Sequence, residues 1–305
     1  MGRGRRTRRG GKGKEGWWGW ERWWEEGLVC RVHGGQRVVG MKGRLRERVS
    51  TWKREGFRGE VLGWVEEGVK CVWEGEPRRG GRENKVEVEQ VAFVVGEMER
   101  FRRMGVLKRV KRRPEVVMPL VVVGKGGECE CKKWRLCVDG RKLNKVMAKG
   151  RVRMEGLREV RHVVRKGDWL VKIDLKDFYL HFDLAEGEER RWGVEFGGAW
   201  WVFGATVFGF KRSAEVAARV SQEIVRKWRR KYGVRAMVWV DDFLLAFGSR
   251  EEAEEGGRWA RRYLEKLGFV VSEKSCLVAS QKMEYLGLVV DTMKGELGVG
   301  RRKGK

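Results

Sequence analysis

The chain has 305 residues, 41% of them hydrophobic, which is enough for one large domain or two modest ones with a buried core. Its 69 Lys and Arg against 43 Asp and Glu give a formal charge of +26, which favours a nucleic-acid partner over a membrane. The longest uncharged stretch, residues 196–210, is shorter than a membrane span and is interrupted by glycines, so we expect no transmembrane segment.

Composition and cysteine spacing narrow the class of protein further. With 44 Gly and 16 Trp but only 3 Pro, the composition is typical of a coding strand rich in G and poor in C, so the charge supports nucleic-acid binding without establishing it. The six cysteines form no Cys-x-x-Cys pair, which argues against a zinc site. Without a signal peptide, we expect reduced thiols and an intracellular location, cytoplasmic or nuclear.

Residues 1–48 differ from the rest of the chain. The first 14 residues are almost all Arg, Lys and Gly, and residues 16–26 interleave five tryptophans with charged residues. Because no apolar period is sustained, we predict a flexible basic arm. Such an arm could bind single-stranded nucleic acid by charge and stacking, and a low-complexity tail of no defined role is the alternative.

From about residue 50 the pattern becomes that of a globular domain. Apolar residues at helical spacing predict a helix over 91–104. A strand is predicted at 119–123, and the glycines after it predict a turn into a second strand at 134–138. Lys125 then lies at the tip of a hairpin and Arg135 on its return strand. Taken singly, each of them is an ordinary solvated cation.

Two further helices and a strand follow. Apolar spacing over 157–164 predicts a helix closed by Gly167, after which an apolar strand leads to Asp174. Ser213 is the predicted N-cap of a second amphipathic helix, which carries apolar residues over 216–228.

An acidic turn then interrupts an apolar run. Asp241 and Asp242 predict a strand, a tight turn and a second strand. Another helix ends at Gly268, and short strands are predicted at 269–271 and 285–290.

This order of elements predicts an α+β fold with two helices packed on one face of a small antiparallel sheet. Asp174 and the turn at Asp241 and Asp242 would then meet on adjacent strands. Carboxylates so placed can hold two divalent ions about 3.5–4 Å apart, and Mg²⁺ suits such a site because phosphate and water complete its shell. A turn aspartate alone is more often a plain turn residue, so the prediction depends on the whole set.

The set resembles the motifs of reverse transcriptases of the retrotransposon type, over roughly residues 50–300. The order and the spacing of the motifs agree with the family throughout. The matching segments are 119–125, WRLCVDGRKLN at 134–144, VKIDLKDFY at 171–179, Phe208-Gly209 with Ser213-Ala214, Trp239-Val240-Asp241-Asp242, 267–269 with 273–275, and 285–287. The segment MEYLGLVVDT at 283–292 resembles that of retroelements of the DIRS kind, which integrate through a tyrosine recombinase.

The resemblance implies a right-hand polymerase fold made of fingers and palm. After the arm at 1–48, it assigns residues 49–167 to the fingers, 168–292 to the palm and 293–305 to the truncated start of a thumb. It implies an RNA or DNA template with a primer and deoxynucleoside triphosphates as partners. Further polyprotein domains or a partner chain would supply the thumb and ribonuclease H.

The resemblance also implies two-metal-ion nucleotidyl transfer. Asp174 and Asp241 would be direct ligands of two Mg²⁺ ions, with Mn²⁺ as a substitute. Asp242 would belong to the same metal site but be less essential. Lys274 would protonate the pyrophosphate leaving group, with a plain surface lysine as the alternative.

The remaining site residues implied by the resemblance bind the nucleotide and the primer. Tyr179 would disfavour a ribose 2′-hydroxyl. The nucleotide-binding residues are Lys125, Arg135, Leu175, Tyr179, Phe208 and Gly209, and the primer grip is Tyr285, Leu286 and Gly287.

The chain departs from the family pattern at three positions. Trp239 stands where Tyr is usual, and Val207 and Ala214 stand where prolines are common. We therefore keep a second hypothesis, a catalytically silent, retroelement-derived protein that only binds nucleic acid. The joint retention of the acidic and cationic site residues favours the polymerase.

Overall fold

A computed structural model describes residues 38–77, 86–124, 134–148, 150 and 152–299 of the chain. The helices are α1 (Val49–Arg54), α2 (Gly59–Glu66), α3 (Val91–Arg103), α4 (Arg141–Val146), α5 (Leu157–Val163), α6 (Lys211–Tyr232) and α7 (Arg250–Lys266). The strands are β1 (Leu107–Val110), β2 (Val117–Met118), β3 (Leu120–Gly124), β4 (Trp134–Val138), β5 (Trp169–Asp174), β6 (Gly193–Phe196), β7 (Ala199–Phe203), β8 (Arg235–Trp239), β9 (Asp242–Phe247), β10 (Cys276–Ser280), β11 (Lys282–Tyr285), β12 (Leu288–Asp291) and β13 (Glu296–Val299). In this part of the chain no helix is long and apolar enough to cross a membrane.

The central sheet orders its strands β10-β5-β9-β8, and all of its pairs are antiparallel. Strands β5 and β9 pair so that Asp174 lies opposite Asp242. Strands β8 and β9 form a hairpin in which Trp239 lies opposite Asp242. The predicted meeting of Asp174 with the acidic turn on adjacent strands is therefore confirmed.

Different elements cover the two faces of the central sheet. Because side chains alternate along a strand, Val171 and Ile173 point to one face with Phe243, in a large core that includes α6 and α7. Leu170 and Leu244 point to the other face, in a second core with α5, β11 and β12. The prediction of two helices on one face is confirmed, whereas the cover on the opposite face was not predicted.

Helix α6 is held by one apolar stripe. Val216, Val220, Ile224 and Trp228 are each 0% exposed, and their spacing of four residues places them on one side of the helix. The helix ends at Gly233, whose φ of +65° is the left-handed conformation that terminates many helices.

The predicted N-cap at Ser213 is wrong. Helix α6 begins at Lys211, and Ser213 is buried in its first turn with no hydrogen-bond partner for its Oγ among the described residues. The N–H of Lys211 is accepted instead by Oδ1 of Asn144, at 3.0 Å. A side chain 67 residues away in sequence thus takes the place of a local cap.

The predicted strand at 269–271 is also absent. Val270 donates its N–H to Nε2 of His181 at 3.0 Å and accepts the N–H of Lys176 at 2.9 Å. Val271 forms only an isolated bridge with Leu175. The backbone here hydrogen-bonds to a side chain and to a loop, so it does not extend a sheet.

The predicted strand at 285–290 is two strands. Strand β11 ends at Tyr285 and β12 begins at Leu288, and they pair as a hairpin. Between them lie Leu286 and Gly287, with φ angles of +52° and +76°. Positive φ at both positions defines a tight two-residue turn, which the apolar run concealed.

Two further sheets are built from strands between residues 107 and 203. One sheet orders its strands β1-β7-β6-β2, and β3 pairs with β4 as a separate hairpin. The predicted helix at 91–104 is α3, and both strands of the predicted hairpin are present. The tip of the hairpin, including Lys125, lies outside the described residues.

The folded part begins before residue 48, where the predicted arm ends. Met41 and Leu45 are buried in the large core at 0% and 3% exposure, which corrects the prediction of a flexible arm over these residues. Nearby, the indole of Trp52 donates to the carbonyl oxygen of Leu267 at 2.9 Å, and Nε of Arg44 donates to that of Gly268 at 2.9 Å. Residues 41–65 therefore contribute to the large core and contact the segment after α7, and residues 1–37 of the predicted arm lie outside the described residues.

Candidate active site

Asp174 is the last residue of β5, and two serines hold its backbone. Ser272 donates its N–H to the carbonyl oxygen of Asp174 at 2.8 Å. The Oγ of Ser275 accepts the N–H of Asp174 at 3.0 Å and donates to the same carbonyl oxygen at 3.3 Å. The side chain of Ser272 also hydrogen-bonds to the carboxylate. The segment after α7 thus fixes the position of Asp174, and neither serine was assigned a role from the sequence.

Asp241 lies in the two-residue turn between β8 and β9. Val240 precedes it with a φ of +57°, and a β-branched residue in this left-handed region costs on the order of 1–3 kcal/mol. A contact from outside ties the turn, because Leu175 donates its N–H to the carbonyl oxygen of Asp241 at 3.3 Å. The strained turn brings Asp241 beside the strand end that carries Asp174.

Burial and like charge raise the pKa of two of the three aspartates. For Asp174 the main cause is burial, and the charge of Asp242 adds to it. Burial also raises the pKa of Asp241 to about 6, with further contributions from Asp174 and Asp242. Asp242 itself forms an ion pair with Lys172, with Oδ1 3.2 Å from Nζ. A cation bound between Asp174 and Asp241 would relieve their repulsion.

Three predicted nucleotide-binding residues form one cluster next to these carboxylates. The rings of Tyr179 and Phe208 meet edge to face with centroids 4.6 Å apart, and the guanidinium of Arg135 lies 4.6 Å from the Phe208 centroid. Burial raises the pKa of Tyr179, and the charge of Asp241 raises it further, so the phenol lies within electrostatic reach of the acidic turn. Phe208 is 37% exposed and can present its ring to a ligand.

Comparison with known families identifies this arrangement. A family model described as reverse transcriptase (RNA-dependent DNA polymerase) matches residues 123–290, which is more than half of the chain. The chain belongs to the reverse transcriptase family. The resemblance on which the site was predicted is confirmed at the level of the family.

A retroelement protein is among the relatives of this reverse transcriptase. The chain is 24% identical over 199 residues to the "Retrovirus-related Pol polyprotein from transposon gypsy" of Drosophila melanogaster. The match covers 65% of this chain and 19% of that polyprotein, so the chain spans about a fifth of the relative's length.

Solved structures of foamy viral protease-reverse transcriptases share the fold. One in complex with double-stranded DNA superposes with a TM-score of 0.64 at 17% identity, covering 89% of this chain and 50% of that one. Another, in complex with an RNA/DNA hybrid, gives 0.63 at 16% identity, covering 92% and 36%. The predicted α+β fold of the polymerase right hand, with fingers and palm, is confirmed.

Reverse transcriptases generally use divalent metal ions, and the donors present here suit such an ion. Mg²⁺ takes one or two carboxylates and completes its shell with substrate phosphates and water, which Asp174 and Asp241 can satisfy. The described residues contain no group of three or more His, Cys, Asp or Glu side chains arranged as a complete metal site. Asp242 suits direct coordination least of the three, because its carboxylate is paired with Lys172.

Asn144 closes the matching segment 134–144 but was assigned no role of its own from the sequence. Its Nδ2 donates to the carbonyl oxygen of Gly209 at 2.8 Å, while its Oδ1 accepts the N–H of Lys211. One amide thus holds the backbone that follows Phe208 at two points. The chain has only two asparagines, and Asn is a poor helix former, so its place inside α4 is a usable signal.

Gly209 lets this loop approach the fingers hairpin closely. Its φ is +105°, and a Cβ there would lie 2.1 Å from the carbonyl oxygen of Val138 on β4. No other residue fits both restrictions. The predicted importance of Gly209 therefore has a steric basis, although its contact with a nucleotide stays a prediction.

Leu175 and Lys274 differ in how they face the site. The side chain of Leu175 is 2% exposed and belongs to the large core, so it cannot reach a nucleotide, and its N–H already bonds to Asp241. Lys274 is exposed, and its charge acts to lower the pKa of Asp174, so its ammonium lies within electrostatic reach of the carboxylates.

The predicted primer grip needs one correction. Tyr285 is 1% exposed, so its side chain has no surface on which a primer could bind. Its Oη donates to the carbonyl oxygen of Asp242 at 2.9 Å. Leu286 and Gly287 form the more exposed turn beside it, and their contact with a primer stays a prediction.

Proposed function

We propose that this chain is the RNA-directed DNA polymerase domain of a retroelement and that it extends a primer with deoxynucleotides. One observation carries the proposal. Asp174 ends one strand, and Asp241 lies in the turn that leads into the adjacent strand, next to the cluster formed by Tyr179, Phe208 and Arg135. Nucleotidyl transfer needs this combination, since acidic groups hold metal ions while cationic and aromatic groups position a triphosphate and its base.

Asp174 and Asp241 hold two Mg²⁺ ions in this proposal, and Mn²⁺ can substitute. When bound, the ions supply activation of the primer 3′-hydroxyl for attack on the α-phosphate and stabilise the charge of the leaving pyrophosphate. The chain keeps the carboxylates in place through the two serines behind Asp174 and the bond from Leu175 to Asp241. A pKa of about 6 leaves Asp241 mostly ionised at neutral pH.

The nucleotide lies against the aromatic cluster. Tyr179, which lies edge-on to Phe208, disfavours a ribose 2′-hydroxyl in this proposal, so the site favours deoxynucleotides. Arg135 contacts the phosphates, with Lys125 as a second cation. Lys274 donates a proton to an oxygen of the departing pyrophosphate, a role that needs hydrogen-bond reach in the loaded complex.

The macromolecular partner is a template, RNA or DNA, with an annealed primer. The described foamy viral relatives were solved with double-stranded DNA or an RNA/DNA hybrid, which supports this class of partner. Further polyprotein domains or a partner chain supply the thumb and ribonuclease H, and the protein acts inside the cell. Membership in the DIRS kind of element stays a prediction.

Primer extension tests the proposal. Purified chain is given a primed RNA template, deoxynucleotides and Mg²⁺, next to Asp241→Asn and to Asp291→Asn, which changes an aspartate on β12 outside the site. We expect extension by the wild type and by Asp291→Asn, and a loss of about 10³-fold or more in Asp241→Asn, because a metal ligand contributes several kcal/mol.

The outcomes separate the two hypotheses. Extension that persists in Asp241→Asn contradicts the assignment of the metal site. No extension by any of the three proteins, with primer–template binding intact, favours the silent nucleic-acid-binding protein, which the charge of +26 also supports. Salt-sensitive binding is expected in both cases and therefore does not decide between them.

A further inference from the structure

The hydroxyl of Tyr285 contacts the acidic hairpin from the neighbouring hairpin. Its Oη donates to the carbonyl oxygen of Asp242 at 2.9 Å. Asp242 pairs with Trp239, and these two residues flank the turn of Val240 and Asp241. The phenol therefore bonds to the strand pair at the base of the turn.

The ring that carries this hydroxyl is rigidly held. Tyr285 is 1% exposed and packs in the second core with Met237 and Leu244, both of which belong to the strands of the acidic hairpin. Burial raises the pKa of the phenol, so it remains protonated and able to donate at any working pH. Because the ring cannot move, the hydrogen bond from its hydroxyl to Asp242 restrains the hairpin backbone, and we call this bond the tether.

The turn needs such a tether. Val240 has a φ of +57°, and conformations of this kind persist only where the surroundings hold them. The bond from Leu175 to Asp241 holds the side of the turn next to Asp174. The hydroxyl of Tyr285 holds its base, on the strand pair from which Asp241 projects.

We propose that Tyr285 is a positioning residue, which acts through the backbone of the hairpin to keep Asp241 in the geometry that binds metal. This inference rests on the proposed function and deepens it. It also replaces the primer as the target of the Tyr285 side chain.

The test uses two substitutions that each remove one hydroxyl. Tyr285→Phe keeps the ring in the core and deletes only the tether. Tyr263→Phe is the matched control, since Tyr263 is also buried, at 6% exposure, and its Oη bonds to Glu55 on the far side of the large core. Neither change creates a large cavity, so both proteins should fold.

We expect Tyr285→Phe to raise the Mg²⁺ concentration for half-maximal extension about tenfold, the effect of losing one hydrogen bond. The Kd for primer–template should stay within about twofold, because the substitution is buried away from the surface. Tyr263→Phe should leave both quantities unchanged.

A second measurement does not depend on catalysis. Amide hydrogen exchange of residues 239–242 should quicken in Tyr285→Phe and not in Tyr263→Phe. If the wild type extends no primer, the proposed function fails, whereas the exchange result still decides whether Tyr285 holds the turn.

A double variant tests whether the tether opposes strain. Glycine adopts positive φ freely. Adding Val240→Gly to Tyr285→Phe should therefore return the Mg²⁺ concentration for half-maximal extension most of the way to the wild-type value, and the effects of the two changes should be non-additive. Unchanged exchange and Mg²⁺ dependence in Tyr285→Phe would overturn the proposal. A loss confined to the Kd for primer–template would also overturn it and would assign Tyr285 to the primer.

Discussion

Two hairpins of the molecule each close through a two-residue turn and differ in what holds that turn. The hairpin β8–β9 turns through Val240 and Asp241, and β11–β12 turns through Leu286 and Gly287. Each has two turn residues, and each places a bulky apolar residue at positive φ. In the second hairpin a glycine supplies half of the turn at little cost, whereas the first uses a β-branched residue and an acid.

The difference lies in the contacts from outside the turn. Around the first hairpin, Leu175, Tyr285 and the serines behind Asp174 fix the backbone that carries the carboxylates. The second hairpin is specified mainly by its own turn residues. A turn that bears reactive groups cannot be optimised for its own stability, so the rest of the fold stabilises it.

Lowering the pH should weaken the support of the first hairpin. His181 is 1% exposed; its Nδ1 donates to the carbonyl oxygen of Phe178 at 3.2 Å and its Nε2 accepts the N–H of Val270. Val270 leads into the segment that holds Asp174. Burial lowers the pKa of His181 to about 4, from 6.5. Below about pH 6.5 the unfolded chain binds a proton at His181, which the folded chain does not bind until about pH 4. The free energy of unfolding therefore falls between pH 6.5 and 4, by at most about 3 kcal/mol.

Urea unfolding of the wild type and of His181→Gln at pH 7.5 and 5 measures this effect. Glutamine can donate and accept but does not titrate, so the stability of the wild type relative to the variant should drop at the lower pH. The protection factors of residues 270–275, which correct for the intrinsic pH dependence of amide exchange, should fall at pH 5 in the wild type, and those of residues 285–288 should not. An equal pH dependence of the two proteins contradicts the assignment of His181.

Removing the hydrogen bond from Asn144 to Gly209, in the loop that presents Phe208, should have a smaller effect. Asn144→Asp keeps an acceptor for the N–H of Lys211 and replaces the donor to the carbonyl oxygen of Gly209 with a repelling oxygen. We expect a loss of about 1 kcal/mol in the free energy of unfolding and a KM for deoxynucleotide raised about tenfold, because the loop that presents Phe208 loses one hydrogen bond.

The control for Asn144 is its neighbour. Lys145→Ala changes an exposed residue of the same short helix and should leave the KM within about twofold. If Asn144→Asp lowers stability and leaves the KM unchanged, the asparagine is only a structural cap for α6.

The sequence predicted the parts of this site that follow from local pattern. The apolar runs around Asp174 and Asp241 predicted strands, and their pairing followed from the order of elements. The tethers could not be predicted, because each joins a side chain to a backbone group far along the chain: Tyr285 to Asp242, Asn144 to Gly209, and Ser275 to Asp174. Sequence periodicity reports which face of an element is buried and carries no information about such pairs.

Two of the errors have the same origin. Ser213 looked like a cap because serine usually caps from its own helix, but Asn144 occupies that role from another element. The run at 269–271 looked like a strand because it is apolar, but its hydrogen bonds go to His181 and to a loop. In these two segments local propensity failed because distant partners took the place of local ones.

The smallest effect should come from the second hairpin, whose turn is set by its own glycine. Gly287→Ala puts a side chain at a φ of +76°, where a Cβ would meet nothing within 4 Å. The cost is then conformational alone, about 1 kcal/mol in the free energy of unfolding. The matched control is Gly298→Ala on β13, also in open space but without a positive φ, which should be neutral or slightly stabilising. Amide exchange of residues 239–242 should be unchanged in both. Faster exchange of these residues in Gly287→Ala alone would mean that the two hairpins are coupled through the turn as well as through the hydroxyl of Tyr285.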